Sequence, residues 1–386
     1  MNPVVLQKLR REMGILKKEP WLLALSVWLP PLLFALFWWI FSAGSSFDMP
    51  IAVVDLDKSN LSRALVRQCD ASSVMAVDRQ FASVVEGRRA LTAGDVYALM
   101  VIPKNLASDT IKGLSPQSTV FYNGQFILIG KQINGAMQQV VGLLSAQVGG
   151  LKAMAAGTAA PAVVGQIAPV RGQITALFNK NTNYAEFLVS GGIPSIWQIL
   201  IIVVTVLSLA SEERHGGLRQ WAGNTPALAL MTKLAPYTII LWLQGILFLA
   251  GMYGWLGWPM NGSWLVMLFA QLLMVLACQA MGSLFFLLGQ DVVRGLSLAA
   301  AYSAPAFAFI GVTFPATDMG FPALVWRSLM PVTHYIEIQI HQANYGGSML
   351  DIWPSISSLL LFVLLFLLAV LQVRRISYDS GELVEA

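Results

Sequence analysis

Apolar residues in this chain fall in long unbroken runs rather than in alternation. A helix that crosses a bilayer needs about 20 mostly apolar residues. Five stretches free of Asp, Glu, Lys and Arg reach that length: Pro20 to Phe47, Phe187 to Ser211, Leu234 to Gln290, Gly295 to Thr317 and Ile352 to Val373. The third has 57 residues, room for two helices, and Gly257 to Ser263 (GWPMNGS) supplies the turn that splits it. The pattern predicts six spans, near 21–42, 190–210, 230–255, 264–288, 296–313 and 353–373.

Between the first two spans the pattern changes. Residues 48–186 carry 12 basic and 9 acidic side chains, and the stretch is long enough for a domain of its own. Pro50 to Asp55 (PIAVVD) reads as a buried strand. Asp57 or Ser59 can cap a helix on which Leu61 and Leu65 share a face. Val74 to Val77 is a second strand, and Phe81, Val84, Val85 and Leu91 mark a second helix that stops near Gly94. Tyr97 to Ile102 is a third strand ended by Pro103. Leu106 and Ile111 belong to a short helix ended by Gly113, and Ser118 to Tyr122 is a fourth strand. Strands that alternate with helices imply a small α/β domain with a largely parallel sheet. Gln125 to about Ala156 then reads as one extended helix, Ala155 to Ala162 as a linker, Val170 to Leu177 as a return strand, and Asn179 to Asn181 as a turn.

Composition agrees with the membrane class: 56% of residues are hydrophobic and 11% charged, against about 25% charged in soluble domains. The net charge of +4 is explained by topology and does not point to nucleic acid. Six spans put both termini on one side. Lys8, Arg10, Arg11, Lys17, Lys18, Arg214, Arg219, Lys233, Arg294, Arg374 and Arg375 flank the spans there, against Arg327 alone on the other. The bias predicts cytoplasmic termini and an extracytoplasmic 48–186 domain. The first span has a basic lead of about 20 residues and an apolar run of about 21, both too long for a cleaved signal peptide, so it is expected to be an uncleaved anchor. Leu6 to Lys18 forms a basic amphipathic helix expected on the inner membrane surface, with Val5, Leu9 and Leu16 inward.

Few residue patterns carry chemistry. Asp55 to Asn60 (DLDKSN) lacks the Gly at the sixth position and the distant Glu of a calcium loop, and is better explained as a strand end and helix cap. Gly130-Lys131 lacks the Gly at 125 and the Ser or Thr at 132 that a phosphate-binding loop needs. Any ATP used must be bound by another chain. His334, Glu337 and His341, at i, i+3 and i+7, lie within about 60° on a helix; they are read as the polar face of an outer hairpin, with no metal expected. Cys69 and Cys278 fall in different environments, so no disulfide is expected. The spans lack ionisable groups at mid-depth, which disfavours an ion-coupled carrier. They do contain Gln198, Gln244, Gln271 and Gln279, which either tie helices together or line a substrate path. The loop Ser211 to Trp221 carries both signs of charge and reads either as a solvated connector or as a docking element for a cytoplasmic partner.

A basic helix, an anchor span, an α/β extracytoplasmic domain and five more spans, in this order, resemble the ABC-2 type permease family in its branch with a large periplasmic insert. The resemblance covers essentially the whole chain. It is carried by Pro50 to Leu65 (PIAVVDLDKSNLSRAL), Leu91 to Pro103 (LTAGDVYALMVIP), Glu212 to Leu218 (EERHGGL) and Pro331 to Glu337 (PVTHYIE). The loop has Gly-Gly-Leu where many relatives have Gly-Thr. The resemblance implies a bacterial inner-membrane exporter permease for drugs or other hydrophobic small molecules, with no cofactor of its own. It would pair with a separate ABC ATPase subunit and form a homodimer or heterodimer with a second permease. Some members of this branch also work with a periplasmic adaptor and an outer-membrane channel. It implies that Glu212, Glu213, Arg214, Gly217 and Arg219 touch the ATPase, and that a re-entrant hairpin lies near 315–350. The expected organisation is a cytoplasmic amphipathic helix (1–19), a first span (20–44), a periplasmic α/β domain (45–186), a five-helix membrane region (187–373) and a cytoplasmic tail (374–386). The alternative is a membrane-anchored periplasmic binding or assembly factor that transports nothing.

Overall fold

The structure, a computed structural model, describes residues 3–44, 47–157, 179 and 183–382. The return strand expected at 170–177, most of the 155–162 linker and residues 180 and 181 lie outside these. The chain divides into two compact units, Met1–Gly44 with Leu177–Ala386, and Ser45–Ala176.

Helix α1 (Pro3–Lys18) ends on Lys17 and Lys18, cations suited to a helix C-terminus. Leu16 is buried and Val5 and Leu9 are half-buried, as the amphipathic pattern predicts, but the same face also buries Glu12. Helix α2 (Pro20–Phe41) begins on Pro20, where a missing N–H costs nothing. Further along, Pro30 and Pro31 deprive the carbonyls of Ser26 and Val27, four residues earlier, of their helical donors. The backbone responds with a π-helical segment, Ala24–Trp28, in which the Leu29 N–H donates to the Ala24 carbonyl. The two orphaned carbonyls accept from a side chain on another helix: Gln244 Nε2 donates to Ser26 O at 2.5 Å and to Val27 O at 3.4 Å.

The inserted unit is built on a sheet of order β2-β1-β3-β4. Strand β1 (Met49–Asp55) is followed by α3 (Asn60–Asp70), β2 (Met75–Phe81), α4 (Val84–Ala93), β3 (Ala98–Ile102), α5 (Leu106–Ile111), β4 (Thr119–Tyr122) and α6 (Ile127–Ala155). β1 pairs in parallel with β2 and β3, and β4 adds an antiparallel edge. Central β1 is buried on both faces, which is why it reads as an unbroken apolar run. One face of the sheet packs Ile51, Val53 and Met100 against Leu65, Cys69, Ile133 and Met137; the other packs Val54 and Leu99 against Ala90. Ser59 rather than Asp57 caps α3, its side chain accepting from the Ser62 N–H. Asp57 instead accepts from the Ala107 N–H. Phe81 closes β2 opposite Val54 rather than opening α4, because Ser83 caps that helix and fixes its start. Gly94 ends it with φ +80°, as a glycine permits. Both cysteines are free and buried. Burial pushes the Cys69 thiol up to about 11.

The second unit continues with α7 (Tyr184–Arg214). It starts well before the span predicted at 190, because Asn183 Oδ1 accepts from the N–H groups of Ala185 and Glu186 and caps it there. Then come α8 (Leu218–Ala222), α9 (Pro226–Trp255), α10 (Trp264–Gly289), α11 (Val292–Phe309), α12 (Phe321–Ser328), α13 (Pro331–Ile340) and α14 (Met349–Glu382). Six of these helices, α2, α7, α9, α10, α11 and α14, are long and apolar enough to cross a membrane. α7 and α10 form the buried centre, whereas α2, α11 and α14 expose most of their surface. α7 and α10 meet at Gly282, where a Cβ would stand 2.9 Å from the Ile202 carbonyl oxygen. Such close crossings are a main source of helix association where no hydrophobic force acts between helices.

Replacing Gln244 by Leu should lower the stability of the detergent-solubilised protein by about 1–3 kcal/mol, the cost of leaving buried acceptors unmade. With Pro30→Ala and Pro31→Ala also present, the carbonyls regain backbone donors, and Q244L should cost less than half as much. Thermal unfolding of the variants measures both.

Candidate functional site

The largest concentration of buried charge lies where α1, the end of α7 and the start of α9 meet. Glu12, Glu212 and Lys233 are each at most 2% exposed. Lys233 Nζ donates to Glu12 Oε2 at 2.8 Å, to Glu212 Oε1 at 2.7 Å and to Ser211 Oγ at 3.0 Å. An ammonium has three N–H donors, so this one is saturated. Arg11 donates to both oxygens of Glu212, at 3.1 and 2.7 Å, from the half-exposed side. Tyr237 donates to Glu12 Oε1 at 2.7 Å. Two carboxylates thus face two cations, and the cluster is close to neutral. Burial pushes the Glu12 carboxyl above its ordinary range, against the pull of Lys233. A second pair, Arg214 with Glu19 at 2.7 Å, joins the same elements at the surface.

This arrangement bears on the loop residues singled out from the sequence. Glu212 does not belong to the exposed loop surface; its carboxylate is consumed by Arg11 and Lys233 inside the protein. Glu213, Arg214 and Arg219 are exposed and Gly217 is half-buried. Gly216 and Gly217 take φ +133° and +86°, a tight reversal that residues with a Cβ resist. Beyond it, Glu213 Oε2 accepts from the Leu218 N–H at the start of α8. A polar cavity of about 360 Å³ opens beside the cluster, walled by Lys8, Arg11, His215, Gln220 and Trp221 among others. Sequence reasoning missed Glu12 and Tyr237, and assigned Arg11 and Lys233 to topology alone. The available signal was Glu12, which lies on the apolar stripe of Val5, Leu9 and Leu16.

The four intramembrane glutamines are all buried, and each bonds to a neighbouring helix. Gln198 Oε1 accepts from the Val332 N–H, Gln271 Nε2 donates to the Gly245 carbonyl at 2.8 Å, and Gln279 bonds to Thr238 at 2.8 Å. With Gln244 on Ser26, they stitch α7 to α13, α9 to α10 and α9 to α2. In each of these bonds the partner is a group other than another of the four glutamines.

In the α12–α13 pair, Glu337 bonds to Arg327 and accepts from Ser355 Oγ at 2.6 Å. Arg327 also donates to the Phe309 carbonyl at 2.9 Å. His334 lies against the Ser328 carbonyl at 3.0 Å, and His341 packs edge-on to Tyr345. Each of the three residues is therefore engaged with its own neighbours, and among the described residues no group of three or more His, Cys, Asp or Glu is placed to hold a metal ion.

Six apolar helices long enough to cross a bilayer, with an amphipathic helix tied to the ends of two of them by buried charge, define a multi-pass membrane protein. A family profile described as ABC-2 family transporter protein matches residues 20–371, and the chain belongs to that family. Membership makes it the membrane component of an ABC transporter, of a kind that is generally not itself catalytic and normally pairs with an ABC ATPase subunit. No curated protein and no solved structure matches the chain.

Replacing Lys233 by Met should destabilise the protein by about 3–5 kcal/mol, because it leaves Glu12 and Glu212 buried with too few cations. Adding Glu12→Gln to that variant should recover part of the loss, whereas E12Q alone should destabilise. Thermal unfolding of the four proteins in detergent gives the coupling.

Proposed function

We propose that this chain is the permease of an ATP-driven exporter in a bacterial inner membrane, moving drugs or other hydrophobic small molecules outward. In this reading both termini are cytoplasmic, the Ser45–Ala176 unit lies in the periplasm, and a homodimer or heterodimer of permeases works with a separate ABC ATPase subunit. A periplasmic adaptor and an outer-membrane channel belong to the same reading as further partners of the inserted unit. The eleven-to-one placement of Lys and Arg supports the orientation.

The observation that carries the reading is the buried cluster of Arg11, Glu12, Glu212 and Lys233. Two carboxylates bonded to one saturated ammonium across three helices make the end of α7, the start of α9 and α1 one mechanical piece. A push on the exposed loop would then be delivered into the helix bundle rather than absorbed by a flexible connector. Glu213, Arg214, Gly217 and Arg219 are the loop residues left at the surface to receive it; Glu212 acts from inside, by holding the piece together. Docking on this charged loop would be salt-sensitive, as exposed charge pairs are screened by salt.

The test is Glu213→Arg in the reconstituted complex of permease and ATPase subunit. Charge reversal should cut co-purification of the ATPase about tenfold while the unfolding temperature of the permease alone stays near that of the parent. Glu213→Gln keeps the oxygen that accepts from Leu218 and should keep most of the pairing. Undiminished pairing in E213R, with salt-insensitive binding, would remove the loop from the interface.

A further inference from the structure

We propose that the cavity at the start of α7, walled also by α9 and α13, is a binding site for a compact organic ammonium ion. Its volume is about 250 Å³, below the roughly 300–1,000 Å³ of pockets that take drug-sized molecules. It suits a small alkylated ammonium ion or the ammonium end of a larger molecule. Glu186 is the one acid in its wall, and Phe187, Tyr253 and Trp258 supply aromatic surface. No Lys, Arg or His is among the described residues that line it. Nor does any cation among the described residues form an ion pair with the half-buried Glu186. Gln339, only 2% exposed, lines the same cavity. Its Nε2 donates to the Ser190 carbonyl at 2.9 Å and its amide lies beside the Tyr253 hydroxyl. Its Oε1 has no hydrogen-bond partner among the described residues.

A buried acceptor without a donor is costly, and so is a carboxylate drawn out of water without a cation. Both deficits lie in one cavity, and one kind of ligand removes both. An ammonium ion sets its charge by Glu186 and its N–H, or the polarised C–H groups beside its nitrogen, by Gln339 Oε1. Aromatic faces attract the alkylated part of such an ion, the chemistry by which aromatic cages hold quaternary ammonium groups. An anion meets only Glu186, and an apolar molecule leaves both groups unmet. A choline headgroup carries the same ammonium but brings a phosphate with it, and no wall residue is cationic to meet that phosphate. The free ion is therefore the occupant that fits. Two π-helical segments, Ala250–Trp255 at the end of α9 and His341–Tyr345 after α13, contribute to the wall, and such segments are frequent at functional sites. Placement in the first turn of α7 suits an acid to the helix dipole, but it accounts for neither the aromatic walls nor the unmet amide. Glu186 and Glu212 are 26 residues apart on α7, about 39 Å at 1.5 Å per residue, so this cavity and the buried charge cluster lie at opposite ends of one helix. The ligand class narrows the cargo of the proposed exporter to cations. That step alone rests on the exporter reading; binding is measured without an ATPase, so failure of one leaves the other measurable.

The experiment is isothermal titration of the full chain in nonionic detergent with benzyltrimethylammonium chloride at fixed ionic strength. The parent should bind one ion per chain. Glu186→Gln keeps the side-chain shape and should weaken binding about tenfold, through the loss of one charge attraction. Phe187→Leu keeps apolar bulk and should weaken it about threefold by removing one aromatic face. Asp318→Asn, which removes an exposed acid outside the cavity, should leave the affinity within about twofold and so separates the site from general charge attraction. Dihexanoylphosphatidylcholine below its micelle concentration should not displace the ion, and exchange of sodium for potassium should change nothing. No binding by the parent, or an unaltered affinity in E186Q, would overturn the proposal. Displacement by the lipid would overturn it in favour of a headgroup, and dependence on the alkali cation in favour of a metal ion. If E186Q does not fold, F187L decides: an unaltered affinity there overturns the aromatic site.

Discussion

Hydrocarbon offers no hydrogen bonds, and that constraint organises the membrane unit more than any single contact does. Every backbone group that leaves the helical ladder must find a partner inside the protein. Pro30 and Pro31 remove two donors from α2 in consecutive positions. The repair is specific: a π-helical segment takes up part of the change, and one side-chain amide, on Gln244, reaches both exposed carbonyls. Its geometry pins α2 to α9 at a defined depth. Gln198 does the same for α7 and the N–H of Val332. Gln198, Gln244 and Gln271 are thereby located by backbone groups on other helices, whereas Gln279 accepts from the Thr238 hydroxyl.

The same constraint explains the cluster around Lys233. Burying one ammonium or one carboxylate alone costs several kcal/mol, and a pair recovers this only when its remaining donors and acceptors are satisfied. Here three N–H donors meet Glu12, Glu212 and Ser211, and the carboxylates take further bonds from Tyr237 and Arg11. Such a cluster contributes little net stability against an apolar replacement, but it is unforgiving about geometry. That favours a role in fixing how α1 sits on α9, not in adding strength. The neutral total of two carboxylates and two cations keeps the region from repelling itself.

What could be read from the sequence followed from one-dimensional signals. Missing charges located all six apolar helices, since length and hydropathy suffice for that. Strand and helix order in the insert was legible too, because a strand buried on both faces, such as β1, is an apolar run and caps such as Ser59 and Ser83 are local. Phe81 was misplaced because a bulky apolar residue fits either element; the cap at Ser83 decides it. The site was less legible. Lys233 sits where a positive-inside residue would sit, and its partners are 221 and 21 residues away. Periodicity shows that Glu12 shares a face with Leu9 and Leu16, but not which cation meets it. In the same way a Pro-Pro pair announces two orphaned carbonyls without naming Gln244.

The burial of Glu212 changes how a charged loop should be read. In a run such as Glu212-Glu213-Arg214 the residues look equivalent, yet a helix sets successive side chains about 100° apart. One of the two acids must face the bundle if the other faces outward. The inward acid is held by a cation from α9, and the outward one accepts from the Leu218 N–H at the start of α8. A reversal of both together would mix a folding defect with a docking defect. In the proposed reading Glu212 transmits from inside the bundle and Glu213 meets the ATPase, so loss at the first position should lower stability and coupling together while loss at the second should lower coupling alone.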